Sequence, residues 1–463
     1  MDVTLHGKIL EGEFTSSYYK NAVFKYTLHI PPAAKGYQYA LLVSHDGMNQ
    51  EEAAALEALA ATGEAPHTIT LGIHPACLPA SIPQGFNREL RMHLYDIYSP
   101  QYPDFVIQEL LPYLTELHQL SIHPSPDMHM ASGGSSGGIS AWNMAWHRPD
   151  FFHRVYMSSP SFLSMSQGDE LVNLIRKYEP KPIRVFVDFS ENEPDDYFGS
   201  SYCVADASVR ALRFAGYDMM DRFYPGEGHC SRYHHFESAL ERMRFLWKDW
   251  MTAPITVSNF SPRAEKLLLP GKEWESTDLP LPHKLPVISN GTFTAPGSYT
   301  PKKTSITFTD ENGKTWRVAH NLSDCCALAF SADKWRLYAA DRARGCIYAY
   351  TVLPDGRLDG KYIHGVLHKA VDFHVPGAAA LCVDRDDRLY AATEIGIQTI
   401  RSCGLIDVIL SLPQGLPVHD LSIGDDGYLY AETDHGVFRR QLNCVQKTAF
   451  AEATEPQTPS YYS

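Results

Sequence analysis

Two kinds of hydrophobic pattern alternate along the first half of the chain. Short unbroken apolar runs, YALLVS (39–44), TITLGI (68–73) and IRVFVDF (183–189), predict strands buried on both faces. Between them, PDFVIQELLPYLTELHQL (103–120), SAWNMAWHRP (140–149) and ESALERMRFLWKDWM (237–251) repeat their apolar residues at helical spacing. Buried strands separated by amphipathic helices, from about 20 to 250, imply a mostly parallel sheet covered on both faces, and so an α/β domain over 1–252.

Beyond 253 the pattern changes. TAPITVSNFSPRAEKLLLPGKEW is rich in proline and polar residues and reads as a linker, placed at 253–284. From there helical periodicity fades and a unit recurs: KWRLYAAD (334–341), DRLYAATE (387–394) and GYLYAETD (427–434), each preceded by an Asp-containing turn. Its tyrosines stand at 338, 390 and 430, and turn-then-strand at a period near 40 residues predicts propeller blades over 285–463. The expected fold class is therefore an α/β domain followed by an all-β, incomplete β-propeller.

Composition narrows the function classes. With 40 basic and 54 acidic residues the net charge is −14, and no basic run is present, which argues against a nucleic-acid or anionic-membrane partner. No segment approaches the roughly 18 apolar residues of a membrane span, and the opening MDVTLHGKILEGEFTSSYYK lacks a basic stretch followed by an apolar one. A cytoplasmic location is the expectation, or a secreted one if a signal peptide has been removed. The nine cysteines form no paired CxxC pattern and are expected as reduced thiols, with no metal site among them.

The stretch ASGGSSGGIS (131–140) carries the chemistry. PDMHMAS before it can be a short strand and SAWNMAWHRPDFF after it is helical, and strand, glycine-rich turn, helix is the context of a nucleophile elbow. The G-x-S-x-G pattern fits twice, around Ser135 or around Ser136. Ser135 is preferred, because its frame leaves Gly137 and Gly138 to open the helix and Ile139 to face the sheet.

A serine hydroxyl needs a base to take its proton. Among 21 histidines, His229 stands out, because DMMDRFYPGEGHC reads as a strand running into a Gly-flanked loop just before the last helix of the domain. The acid that orients the imidazole belongs in DFSENEPDDYFG (188–199), which offers five carboxylates; Glu193 is the choice and Asp195 the runner-up. Two backbone N–H groups should bind the oxyanion: that of Ser136, at a helix N-terminus, and that of Met48, in the turn His45-Asp46-Gly47-Met48 that ends the strand of ALLVSHDGMN (40–49). The His45-Asp46 pair in that turn reads as structural.

LLVSHDGM, YDIYSPQYPDFVIQELLP, GGSSGGISAWNMAWHRPDFFHRVYMSSPSF, KPIRVFVDFSENEPD and ALRFAGYDMMDRFYPGEGH together resemble the esterases that include enterobactin, salmochelin and feruloyl esterases of carbohydrate esterase family 1. The resemblance spans about 15–250 and implies an α/β-hydrolase fold acting on carboxylic esters through an acyl-enzyme, with Ser135 as nucleophile and His229 as base. Where that family has a G-x-N-D type loop, this chain has Ser190-Glu191-Asn192-Glu193, with glutamate in the aspartate's slot.

The region 285–445 is similar to the gluconolactonase/regucalcin propellers. Cys326-Ala327-Leu328 and Ala378-Ala379-Ala380 stand where that family keeps metal-binding positions, and Ala and Cys do not hold a hard divalent cation. About four blades against the family's six imply a degenerate propeller without lactonase chemistry, serving as a docking or lid-like module.

The leading expectation is a cofactor-free serine esterase for acyl or aryl esters of sugars or polyphenols, with siderophore trilactones as the second substrate class. A propeller-based binding protein with a vestigial hydrolase scaffold is the competing class. A homo-oligomer formed through an open propeller edge is a further expectation.

Overall fold

The three apolar runs form interior strands of one ten-stranded sheet. Its strands are β1 (Lys8–Thr15), β2 (Val23–Ile30), β3 (Ala40–His45), β4 (Thr68–Ile73), β5 (Cys77–Leu78), β6 (Arg88–Glu89), β7 (His129–Gly134), β8 (Arg154–Ser158), β9 (Arg184–Asn192) and, after a small hairpin of β10 (Asp195–Asp196) and β11 (Gly199–Ser200), β12 (Asp218–Gly228). The order is β12-β9-β8-β7-β3-β4-β2-β5-β6, with β1 on β2. From β12 through β4 every pairing is parallel, whereas β2 joins β4, β1 and β5 antiparallel, so the sheet is mixed. The computed structural model describes residues 4–163, 165–257, 260–282, 287–288, 297–369 and 378–443. Positions 258–259 and 283–284 of the predicted linker, and 285–286, 289–296, 370–377 and 444–463 of the predicted propeller, lie outside the described residues.

Helices α1 (Gln50–Ala61), α2 (Arg91–Tyr95), α3 (Gln101–Phe105), α4 (Leu111–His118), α5 (Ser136–His147), α6 (Gly168–Ile175), α7 (Ser201–Ala215) and α8 (Phe236–Leu246) flank the sheet. The sequence QEEAAALEALAA makes α1 a strong helix, and the Asn49 side chain caps it by accepting the Glu52 N–H. Ala55, Leu56 and Leu59 of α1 and Ala239, Met243 and Leu246 of α8 pack on Leu42, Met130, Tyr156 and Phe186 of the sheet. Helix α5 packs on β3, β7 and β8. The long helix predicted over 103–120 is interrupted by a π turn at Val106–Leu110, where the Leu111 N–H reaches back to Val106. Pro112, in the first turn of α4, has no N–H to continue the regular ladder, and the extra residue of the π turn comes just before it. No helix of the described residues is long and apolar enough to cross a membrane.

A fully buried polar network ties the strands to these helices. Glu52 of α1 accepts the Arg242 Nε–H of α8 at 3.1 Å and the Ser132 hydroxyl of β7 at 2.6 Å. Arg242 also lies over the Tyr156 ring and donates to the Tyr233 carbonyl. Tyr156 and Ser158 of β8 donate to Asp188 of β9 at 2.8 and 2.6 Å. Burial pushes the Asp188 carboxyl up to about 6 against these hydrogen bonds.

The chain divides into two compact units: Met1–Arg176 with Pro180–Phe260, and Lys177–Glu179 with Ser261–Ser463. The second holds four four-stranded antiparallel sheets, over 287–319, 325–366, 381–410, and 420–441 with 275–277, arranged like a partial propeller. The recurring tyrosines sit in the second strands of their sheets, where Tyr390 donates to Asp384 at 2.9 Å and Tyr430 to Asp426 at 2.6 Å, each within its own turn. Residues 275–277, inside the segment expected to be linker, form a strand with 437–439. Three residues at a sheet edge are too short a run for alternation to reveal.

Arg242→Met should strand the Glu52 carboxylate without its cation and cost about 3–5 kcal/mol, because breaking one side of a buried pair leaves an uncompensated charge. Urea denaturation of the first unit's transition would read this as a lower midpoint at unchanged slope.

Candidate active site

Ser135 occupies the turn between β7 and α5 with φ 56° and ψ −126°, a conformation few L residues adopt. The turn is possible because its neighbours are small. A Cβ on Gly133 would lie 2.2 Å from the Gly137 carbonyl oxygen, and one on Gly137 would lie 3.0 Å from an Asp46 carboxylate oxygen and 3.2 Å from His45 Cβ. The Ser135 N–H is held by the Ser158 carbonyl at the end of β8 (2.9 Å). Ser136 stands at the first position of α5 with its side chain buried, while Ser135 is partly exposed.

His229 and Glu193 meet through the pairing of β12 with β9. A bulge between Tyr224 and Gly228 resets the register so that Gly228 pairs with Asn192, which sets the next residue of each strand side by side. His229 Nδ1 is hydrogen-bonded to Glu193 Oε2, and the Glu193 side chain is wholly buried. The other oxygen of Glu193 accepts from the Ser159 hydroxyl at 2.5 Å and from the Ser190 N–H at 3.0 Å. Asp195, in contrast, lies exposed in β10, paired with Ser200. Cys230, adjacent to His229, places its Sγ 3.1 Å from where a Gly134 Cβ would be, so the histidine loop packs directly on the elbow.

The loop 45–49 is anchored amide by amide. The Asp46 N–H donates to the Tyr95 hydroxyl (3.3 Å), the Gly47 N–H to the Ile73 carbonyl (3.1 Å) and the Asn49 N–H to the Ser44 hydroxyl (3.3 Å). Among the described residues the Met48 N–H has no acceptor, and neither does that of Ser136. His45 Nδ1 is hydrogen-bonded to the Ser132 carbonyl, and burial lowers its imidazole to about 4, so it is neutral. Asp46 forms a two-point ion pair with Arg91, at 2.7 and 2.8 Å.

Sequence reasoning missed the segment Ser158-Ser159-Pro160-Ser161, which touches the elbow, Glu193 and the histidine loop. Ser158 holds the elbow amide. The Ser159 hydroxyl bridges Glu193 and the Cys230 N–H (2.9 Å), and Ser161 Oγ lies 3.0 Å from Ser135 Oγ. The available signal was positional: a serine-rich strand end, RVYMSSPS, one strand over from the elbow.

Burial opposes protonation of His229, but the adjacent Cys230 sulfur and the hydrogen-bonded Glu193 carboxylate outweigh it and raise the imidazole to about 10. For Glu193, burial alone would raise the carboxyl, and bonds from His229, Ser159 and Ser190 bring it below its ordinary value instead.

The Esterase family model, described as "Putative esterase", matches residues 17–239. Among solved structures the chain is similar to a ferulic acid esterase (20% identity, 52% of this chain and 98% of that one, TM-score 0.41). It is also similar to the enterochelin esterase of Shigella flexneri (18%, 53% and 59%, TM-score 0.40) and to the ferulic acid esterase of Anaeromyces mucronatus (16%, 54% and 94%, TM-score 0.41). No curated protein matches the chain. The matched residues cover most of the first unit and carry the esterase fold, and this unit is a carboxylic ester hydrolase.

A histidine whose folded pKa is raised stabilises the fold below about pH 6.5 and loses that contribution as pH climbs through the folded value. NMR titration should therefore place the His229 midpoint well above 6.5 in the wild type. Glu193→Gln, which removes a charge and keeps the shape, should move it down by at least one unit.

Proposed function

We infer that the first unit hydrolyses carboxylic esters through a covalent acyl-enzyme, with Ser135 as nucleophile, His229 as base and Glu193 as the acid that orients it. The observation that carries this reading is the Glu193-paired His229 in a loop whose next residue packs on the elbow glycine Gly134. Ser135 Oγ attacks the ester carbonyl carbon while its proton passes to His229, and the carbonyl π electrons move onto oxygen. The free amides of Met48 and Ser136 receive that oxyanion, and the dipole of α5 adds to them. Collapse expels the alcohol, protonated by His229; water, deprotonated by the same imidazole, then releases the acid.

The substrates proposed are acyl or aryl esters of sugars or polyphenols. Supporting an aryl group, the rings of Tyr197 and Phe198 lie 4.2 Å apart, tilted by 39°, at the tip of the β10–β11 hairpin, which begins two residues after Glu193, and Tyr197 is 90% exposed.

Turnover of p-nitrophenyl acetate by Ser135→Ala should fall about 10³-fold or more, with loss of the acylated species in intact mass spectra. Undiminished turnover would remove Ser135 from the mechanism. The base acts only when neutral, so kcat/KM of the wild type should climb with pH from 7 through 9. In Glu193→Gln that limb should move to lower pH, with a plateau reduced about 10²–10⁴-fold.

A further inference from the structure

The Ser161 side chain is buried, and its Oγ stands 3.0 Å from Ser135 Oγ. Backbone contacts fix it there: the Ser161 N–H reaches the Ser135 carbonyl, the Leu163 N–H bonds the Ser161 carbonyl, and Pro160 Cα lies 3.5 Å from where a Gly138 Cβ would be. The preceding Ser159 holds φ 42°, a left-handed conformation that turns the chain back onto the elbow. Among the described residues the Ser161 hydroxyl has no other hydrogen-bond partner. Buried hydroxyl protons seek an acceptor, and the one within reach is the nucleophile's oxygen.

We propose that Ser161 is a catalytic residue whose hydroxyl donates to Ser135 Oγ and stabilises the negative charge that builds on that oxygen as it is deprotonated. The proposal rests on the serine-esterase reading above. A serine oxygen has one proton and two lone pairs. With Ser161 donating to one lone pair, the Ser135 proton is directed to His229 and the second lone pair faces the ester carbon. During acylation the Ser135 O–H bond breaks to His229 and the new C–O bond forms. During deacylation water gives a proton to His229 and bonds to the acyl carbon, the acyl C–Oγ bond breaks, and Oγ regains charge before reprotonation by His229. Ser161 keeps its own proton in both steps, and its hydrogen bond is stronger to the charged oxygen than to the neutral hydroxyl, which is the differential binding that lowers a barrier.

The opposite polarity makes a different prediction. A Ser161 that accepted the Ser135 proton would hold the nucleophile away from its base, and removing it would speed the reaction.

The test compares Ser161→Ala, Ser161→Thr and Ser135→Ala in the full chain with p-nitrophenyl acetate, alongside the rate of labelling by a fluorophosphonate and a thermal melt. Ser161→Ala should lower kcat about tenfold with KM within about twofold, and slow fluorophosphonate labelling in parallel. Ser161→Thr, which retains the hydroxyl, should recover most of the loss. An unchanged or increased kcat in Ser161→Ala overturns the proposal, as does an equal loss in the Ala and Thr variants with unaltered melts. A lower melting temperature for Ser161→Ala with unaltered labelling assigns Ser161 to stability alone, and also overturns it. If Ser135→Ala retains full activity, the esterase reading itself fails; if only Ser135→Ala is inactive, that reading stands and the Ser161 proposal falls.

Discussion

The first unit's site depends on how closely one helix approaches two strands. Helix α5 starts where β7 ends, and its first turn lies against the loop after β3 with no space for a side chain at Gly133 or Gly137. That closeness forces Ser135 into its strained backbone conformation and lifts its hydroxyl out of the sheet. It also sets the unpartnered amide of Ser136 at the start of a helix, where the backbone dipole favours an anion. Any side chain larger than hydrogen at Gly133 would push α5 away and undo both effects at once.

Around this contact the structure separates polar groups that are satisfied from those left available. Beneath the sheet ends, Glu52, Arg242, Ser132, Tyr156, Ser158 and Asp188 satisfy one another, and the low dielectric of the core makes these bonds stiff supports. At the surface of the same strands, the Met48 N–H is without an acceptor among the described residues, between a Gly47 amide bonded to β4 and an Asn49 amide bonded to the Ser44 hydroxyl. Gly72 has a part in this: a Cβ there would fall 2.1 Å from the Met48 nitrogen. Which of these amides is left without an acceptor is thus set by what surrounds it.

Much of this was legible in the residues. Buried strands announced themselves by unbroken apolar runs, and the elbow by glycines placed two before and two after a serine between a strand and a helix. What sequence could not show were contacts whose partners lie far apart along the chain. The Ser159 bridge to Glu193 joins residues 34 apart and the Asp46–Arg91 pair joins residues 45 apart. A serine in SSPS has no local mark that distinguishes it from a turn residue. Glu193 could be ranked above Asp195 only by its slot in a loop; the β12 bulge, which aligns Gly228 with Asn192, decides which carboxylate faces the imidazole. The antiparallel strands β1, β5 and β6 escaped because short or exposed strands lack the uniform burial that made the central ones plain, and β2 because polar Lys25 and Thr27 break its apolar run.

The strand Glu275–Thr277 hydrogen-bonds to Gly436–Gln441, so the last sheet of the second unit is woven from both ends of that unit's chain. During synthesis the earlier strand must wait, with its edge unsatisfied, while some 160 intervening residues are made, a delay of about 10–30 s at ordinary elongation rates. The first unit's sheet is complete by Gly228, far upstream. The two units are therefore expected to mature on different clocks, and the later one stays vulnerable to proteases and to misplaced strand partners until the 428–441 hairpin has left the ribosome.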